Sequence, residues 1–160
     1  MKVAQAGPGD FAPFAALVRE YLASIDLPPE LRDEDAQLRA YLQPPDAAWL
    51  AFVDDAPLGT IALRPLPERG NACEVKRLYV RPAARGLGIA HHLLDALETY
   101  ARAQGFAWAY LDTRADLTAA IAFYRRRGYE PCERYNDNPV ASFFFRRALS
   151  PPTTRRRRSP

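Results

Sequence analysis

A chain of 160 residues, 48% apolar and 26% charged, has the composition of one globular domain, and no apolar run nears the ~20 residues of a membrane span. The start, MKVAQAGPGD, lacks the apolar stretch of a secretory leader, so a cytoplasmic protein with no membrane partner is expected. The net charge of +3 includes four arginines in the tail PPTTRRRRSP, which leaves −1 on residues 1–150 and argues against a nucleic-acid-binding face on the body.

KVAQA reads as a short first strand. Asp10 is a plausible cap for a helix whose apolar residues, Phe11, Phe14, Leu17, Val18, Tyr21, Leu22 and Ile25, recur at offsets of three and four. LPPE breaks that helix, and a second, acidic helix is expected over Leu31–Leu42. PPDAAWLAFVDDAPLGTIALRPL predicts a β-hairpin turning at Asp54–Asp55, and ACEVKRLYV, residues 72–80, another strand. A glycine loop follows. Ile89, Ala90, Leu93, Leu94, Leu97, Tyr100 and Ala101 then trace one helix face that runs to about Gln104 and stops at Gly105. AWAYLDT predicts a strand, Leu117–Arg127 a helix closed by Gly128, and YEPCERY and ASFFFRRAL two final strands. The order describes one mixed α/β or α+β domain over residues 1–150, with residues 151–160 as a solvated, disordered basic tail.

Cys73 and Cys132 sit in strand-like runs without metal-ligand or redox spacing and read as buried thiols. His91 and His92, with Asp95, do not converge on a metal, because adjacent helical positions point about 100° apart. No metal is expected.

The loop RPAARGLGIA, residues 81–90, joins a strand to a long helix and gathers unpaired N–H groups at the positive end of the helix dipole, an arrangement suited to a pyrophosphate. It is not a P-loop, since Gly-Lys-Ser/Thr is absent, and GLGIAH departs from the dinucleotide fingerprint. RGLGIA, after KRLYVRP, resembles the R/Q-x-x-G-x-G/A loop of the GNAT superfamily of acyl-CoA-dependent N-acetyltransferases. AIAFYRRRGY, residues 120–129, is similar to that family's later helix with its tyrosine and closing Gly-aromatic pair.

The resemblance implies a mainly antiparallel central sheet flanked by helices, with a strand that splays from its neighbour before the glycine loop. It implies acetyl-CoA as co-substrate, its pyrophosphate on the main chain of Arg85, Gly86, Leu87, Gly88, Ile89 and Ala90, and its pantetheine arm on the backbone of Leu78, Tyr79 and Val80. A Val80 N–H is a candidate for the oxyanion. Attack on the thioester requires a neutral amine, so a general base is needed, a role the resemblance gives to Glu74. Tyr124 matches the family's tyrosine and would protonate the departing thiolate. Where the family often has Asn seven residues before that tyrosine, this chain has Leu117.

The family's acceptor site lies between the N-terminal helices and the last hairpin. That placement offers Tyr21, Glu30, Asp33, Glu34 and Asp35 from one side, Arg64 from the hairpin, and Tyr135, Asn136 and Asn138 from ERYNDNP on the other. The expected activity is direct acetyl transfer to a primary amine of a small molecule or peptide. Two alternatives stand beside it: a non-catalytic acyl-CoA-binding regulatory module, and a nucleic-acid binder acting through its basic tail. A homodimer through the final strands is a further option.

Overall fold

A computed structural model describes residues 1–149; the tail expected over 151–160 lies outside the described residues. The elements are β1 (Lys2–Ala6), α1 (Phe11–Ser24), α2 (Asp35–Ala40), β2 (Ala47–Val53), β3 (Ala56–Pro65), β4 (Ala72–Val80), α3 (Ile89–Ala103), β5 (Trp108–Thr113), α4 (Thr118–Arg126), β6 (Glu130–Pro131) and β7 (Phe143–Ala148). The strands form one sheet in the order β1-β2-β3-β4-β5-β7-β6. Every pairing is antiparallel except β4 with β5.

The period-two alternation of the strands sends residues to two separate cores. On one face Trp49, Ile61, Leu63, Cys73, Val75, Ala109 and Leu111 pack against Leu93, Leu94 and Leu97 of α3 and Phe123 of α4. On the other, Ala48, Leu50, Ala62 and Tyr79 pack against Phe14, Leu17 and Val18 of α1 and Leu38 of α2. The hairpin turn falls where expected, with Asp54 and Asp55 both left-handed at φ 48 and 63.

Three expectations change. The second helix shortens to Asp35–Ala40 because Pro28 and Pro29 set a 3-10 turn and Arg32 is extended; the helix begins only where the Gln37 side chain accepts the Glu34 N–H at 2.7 Å. Asp10 precedes α1 but does not cap it, since its carboxylate accepts the Gly7 N–H at 2.8 Å instead. The penultimate strand is only Glu130–Pro131, and β7 is trimmed at both ends. Asn136 and Asn138 accept the N–H groups of Asn138 and Val140, an Asx pattern that turns residues 136–140 into a loop.

Two irregularities of β4 create the cleft. Its parallel pairing with β5 covers only Ala72–Glu74 against Trp108–Tyr110, after which the strands part. Opposite β3, Arg77 and Leu78 face the single residue Ile61, a bulge between the pairs Thr60↔Tyr79 and Ala62↔Lys76. Arg77 takes φ 59 there, held by bidentate bonds to Asp33 at 2.6 and 2.9 Å.

Candidate active site

Two cavities meet where β4 and β5 part. The larger, about 610 Å³, runs between β4 and α4; the smaller, about 330 Å³, lies toward α1, α2 and the loop that carries Asn138. Tyr21, Lys76, Arg77, Asp112 and Thr113 line both.

Leu78, Tyr79, Val80, Arg85 and Ala90 line the larger cavity. Because the Arg81 N–H donates to Leu58 O at 2.9 Å, antiparallel alternation turns the Val80 N–H away from β3, toward the side that β5 has vacated. Beyond β4, none of the N–H groups of residues 86–91 donates to a backbone carbonyl among the described residues; the first helical bond is His92 N–H to Gly88 O at 3.2 Å. Gly86 and Gly88 are left-handed, at φ 83 and 78, and this conformation is what demands glycine, since a Cβ at either would meet nothing nearer than 4.0 Å. Leu87 is exposed, whereas the Ile89 side chain is in the core, so that residue can offer a ligand only its main chain. Arg85 donates to Val80 O at 3.1 Å, which folds the loop back onto the strand.

Tyr124 lines the larger cavity from α4, between Phe123 and Tyr129, at ring distances of 5.3 and 5.6 Å. Burial, then Tyr21 and Asp112, push its hydroxyl well above the usual tyrosine range, so it is protonated at neutral pH. It has no hydrogen-bond partner among the described residues.

Glu74 lies on the opposite face of the sheet, 7% exposed, and lines neither cavity. Its Oε2 accepts the Tyr135 hydroxyl at 2.7 Å and the Asn136 amide at 3.2 Å, and its Oε1 lies 3.3 Å from Lys76 Nζ. Tyr135 and Asn136 thus hold a carboxylate rather than line a cavity, while Asn138, Arg64 and Tyr21 do line the smaller one. Arg64 sits 4.5 Å above the Tyr41 ring and pairs with Asp46 at 3.0 Å. The acidic wall expected from residues 30–35 is mostly spent elsewhere: Asp33 is bound to Arg77, Asp35 to Arg19, and Glu30 and Glu34 line neither cavity. His91 packs on Phe123 at 4.8 Å, and the described residues contain no metal-binding group of His, Cys, Asp or Glu.

Asp112, on β5, is absent from the sequence expectations. The signal was one charge within the apolar strand AWAYLDT, but its neighbours come from residues 136–138, whose approach depends on tertiary structure.

The model of the Acetyltransferase (GNAT) family matches residues 14–129. An uncharacterised N-acetyltransferase of Schizosaccharomyces pombe is 32% identical over 145 residues, 88% of each chain. The uncharacterised N-acetyltransferase YjgM of Escherichia coli is 35% identical over 97 residues, 60% of this chain and 58% of that protein. The crystal structure of a GNAT-family acetyltransferase from Staphylococcus aureus superposes with a TM-score of 0.79 at 22% identity, covering 93% of this chain and 99% of that one. The chain belongs to the GNAT family of N-acetyltransferases, which in general take their acetyl group from acetyl-CoA. No described helix is long and apolar enough to cross a membrane.

Proposed function

We propose that the protein transfers the acetyl group of acetyl-CoA to a primary amine of a small molecule or peptide. The observation that carries this reading is the run of N–H groups over residues 86–91 with no partner among the described residues, at the positive end of α3 and beside the cavity opened by β4. Such a run suits the two phosphates of a pyrophosphate. The pantetheine arm would then follow Leu78, Tyr79 and Val80, with the Val80 N–H facing the oxygen that gains charge.

Transfer forms one N–C bond and breaks one C–S bond; an ammonium acceptor gives up one proton to become the neutral nucleophile and a second as the amide forms, the sulfur receives one, and one proton leaves to solvent. Tyr124, protonated and bordering the cavity, is the donor to sulfur in this reading. Glu74 is the proton acceptor, and because its carboxylate borders neither cavity it acts through water.

The test is thiol release from acetyl-CoA across a panel of alkylamines, amino acids and peptides, comparing the native chain with Tyr124→Phe. Amine-dependent release that falls about a hundredfold in the variant, with acetyl-CoA affinity unchanged, is expected. Acetyl-CoA binding without turnover on any amine would replace this reading with the regulatory module, and absence of binding would remove the assignment of the glycine loop.

A further inference from the structure

The charges that border the two cavities are compensated in place, with two exceptions. Asp33 pairs with Arg77, Arg64 with Asp46, Lys76 with Glu74 and Arg114 with Asp116. Only Arg85 and Asp112 line a cavity without an ion-pair partner among the described residues. Arg85 stands at the loop that the proposed function gives to an anion. Asp112 stands at the junction, common to both cavities.

The two carboxylates of this region are held differently. Both oxygens of Glu74 are engaged, by Tyr135 and Asn136 on one side and Lys76 on the other. Asp112 accepts the Asn136 amide at 2.6 Å and the Asn138 amide at 3.3 Å, both on Oδ2, and its Oδ1 has no protein donor among the described residues. Neutral amides fix the group without neutralising it.

We infer that Asp112 is the acceptor-binding carboxylate, receiving on Oδ1 the ammonium of a cationic amine at the point where the two cavities join. This rests on the proposed function and deepens it: the acceptor class is a positively charged alkylamine rather than a neutral arylamine or hydroxyl compound. The groups around Asp112 leave that role to it. Tyr21 of α1, Tyr124 of α4 and Tyr135 of the loop are neutral at physiological pH, each pushed up chiefly by burial. Lys76 and Arg77 of β4 and Arg114, just after β5, already hold Glu74, Asp33 and Asp116. A partly buried carboxylate with no counter-charge is costly to retain, and an ammonium from outside supplies the missing partner.

The experiment is calorimetry on the full chain saturated with CoA, using benzylammonium chloride and benzyl alcohol, which differ mainly in charge. The native protein is expected to favour the cation by about tenfold or more, the range of a charge-assisted hydrogen bond. Asp112→Asn keeps an oxygen to accept the Asn136 amide, and should lose the preference while retaining CoA affinity and melting temperature. In turnover, the same variant should raise KM for an alkylamine about tenfold and leave KM for acetyl-CoA unchanged. A preference that survives in Asp112→Asn overturns the inference, as does a native protein that does not distinguish the two compounds, including one that binds neither. Failure of the native chain to bind CoA would strike the proposed function itself.

Discussion

The Tyr135 hydroxyl donates to the Glu74 carboxylate at 2.7 Å, joining residues 61 positions apart. The bond closes the loop after β6 over the face of the sheet that carries α1 and α2, and the adjacent Asn136 amide then spans from Glu74 to Asp112. The side of the cleft that the proposed function gives to the acceptor is therefore held by side chains, whereas the glycine-loop side offers main-chain groups.

Glu74→Gln keeps the shape of this contact and removes the charge. If Glu74 accepts the proton through water, Glu74→Gln should lower kcat for an alkylamine about a hundredfold, while Tyr135→Phe, which retains the carboxylate, should lose far less. Turnover of the three proteins at saturating acetyl-CoA and amine, compared at one pH, decides the matter. An unchanged kcat in Glu74→Gln would remove it from proton transfer and leave it as the anchor of Tyr135 and Asn136.

Gly88 precedes α3 at φ 78, with open space where a Cβ would stand. Gly88→Ala should cost about 1 kcal/mol through backbone strain alone, and Gly88→Asn less, because asparagine tolerates the left-handed region. Gly88→Glu places an anion at the free N–H groups, where it competes with a pyrophosphate, and should lower acetyl-CoA affinity about a hundredfold or more. Urea unfolding separates the first effect from the second, which is read by calorimetry. Normal acetyl-CoA binding by Gly88→Glu would mean that the phosphates lie elsewhere.

The strand 72–80, the glycine loop and the helix from Ile89 were legible in sequence because each is written in a local pattern: β-branched and aromatic residues, two glycines, then apolar spacing of three and four. The role of Arg77 was not, because a bulge and a left-handed arginine depend on Asp33, 44 positions away. Asp112 and Asn136 meet through the pairing of β5 with β7 and the loop that leads into it, which no local pattern encodes. The same holds for Glu74, whose place in the strand was readable but whose closure by Tyr135 was not. Asp10 shows the converse: its type suited a helix cap, yet the preceding turn took its carboxylate first.

Alkaline stability follows from the buried acids. Burial chiefly, with Glu98 and Glu74, pushes the Cys73 thiol from its ordinary 9.0 to about 12. A raised pKa contributes stability that is complete below the unfolded value and is lost as pH rises toward the folded one, so the window is pH 9 to 12. Cys73 alone should cost ~1.4 kcal/mol per pH unit there. Tyr41, Tyr124 and Tyr129, all raised mainly by burial, steepen the loss once the pH passes the usual tyrosine range. Urea midpoints should be flat from pH 7 to pH 8.5, about half a unit below the ordinary thiol value, and fall beyond pH 9, less steeply in Cys73→Ala. A flat curve to pH 11, beyond the ordinary tyrosine value of about 10, contradicts this sign.

Glu98 anchors the other end of α3, away from both cavities. Its carboxylate is 1% exposed and faces Arg147 at 2.5 Å, Arg127 at 3.3 Å, Arg102 at 3.4 Å and the Tyr129 hydroxyl at 3.3 Å. The helix, the C-terminal end of α4 and the strand β7 are thereby tied through one anion. Glu98→Ala leaves three guanidinium groups facing one another without it, and should cost about 3 kcal/mol, toward the low end for a broken buried pair because the arginines retain some solvent. Glu98→Gln keeps an acceptor oxygen and should fall between the native chain and Glu98→Ala. Acetyl-CoA affinity should stay the same in both variants, since the N–H groups of residues 86–91 lie at the opposite end of the helix. Urea unfolding with calorimetry on the same preparations tests both halves. A loss below about 0.5 kcal/mol in Glu98→Ala would mean that the arginines find water or other acceptors once the carboxylate is gone, and that the cluster orients α3 against β7 without stabilising it.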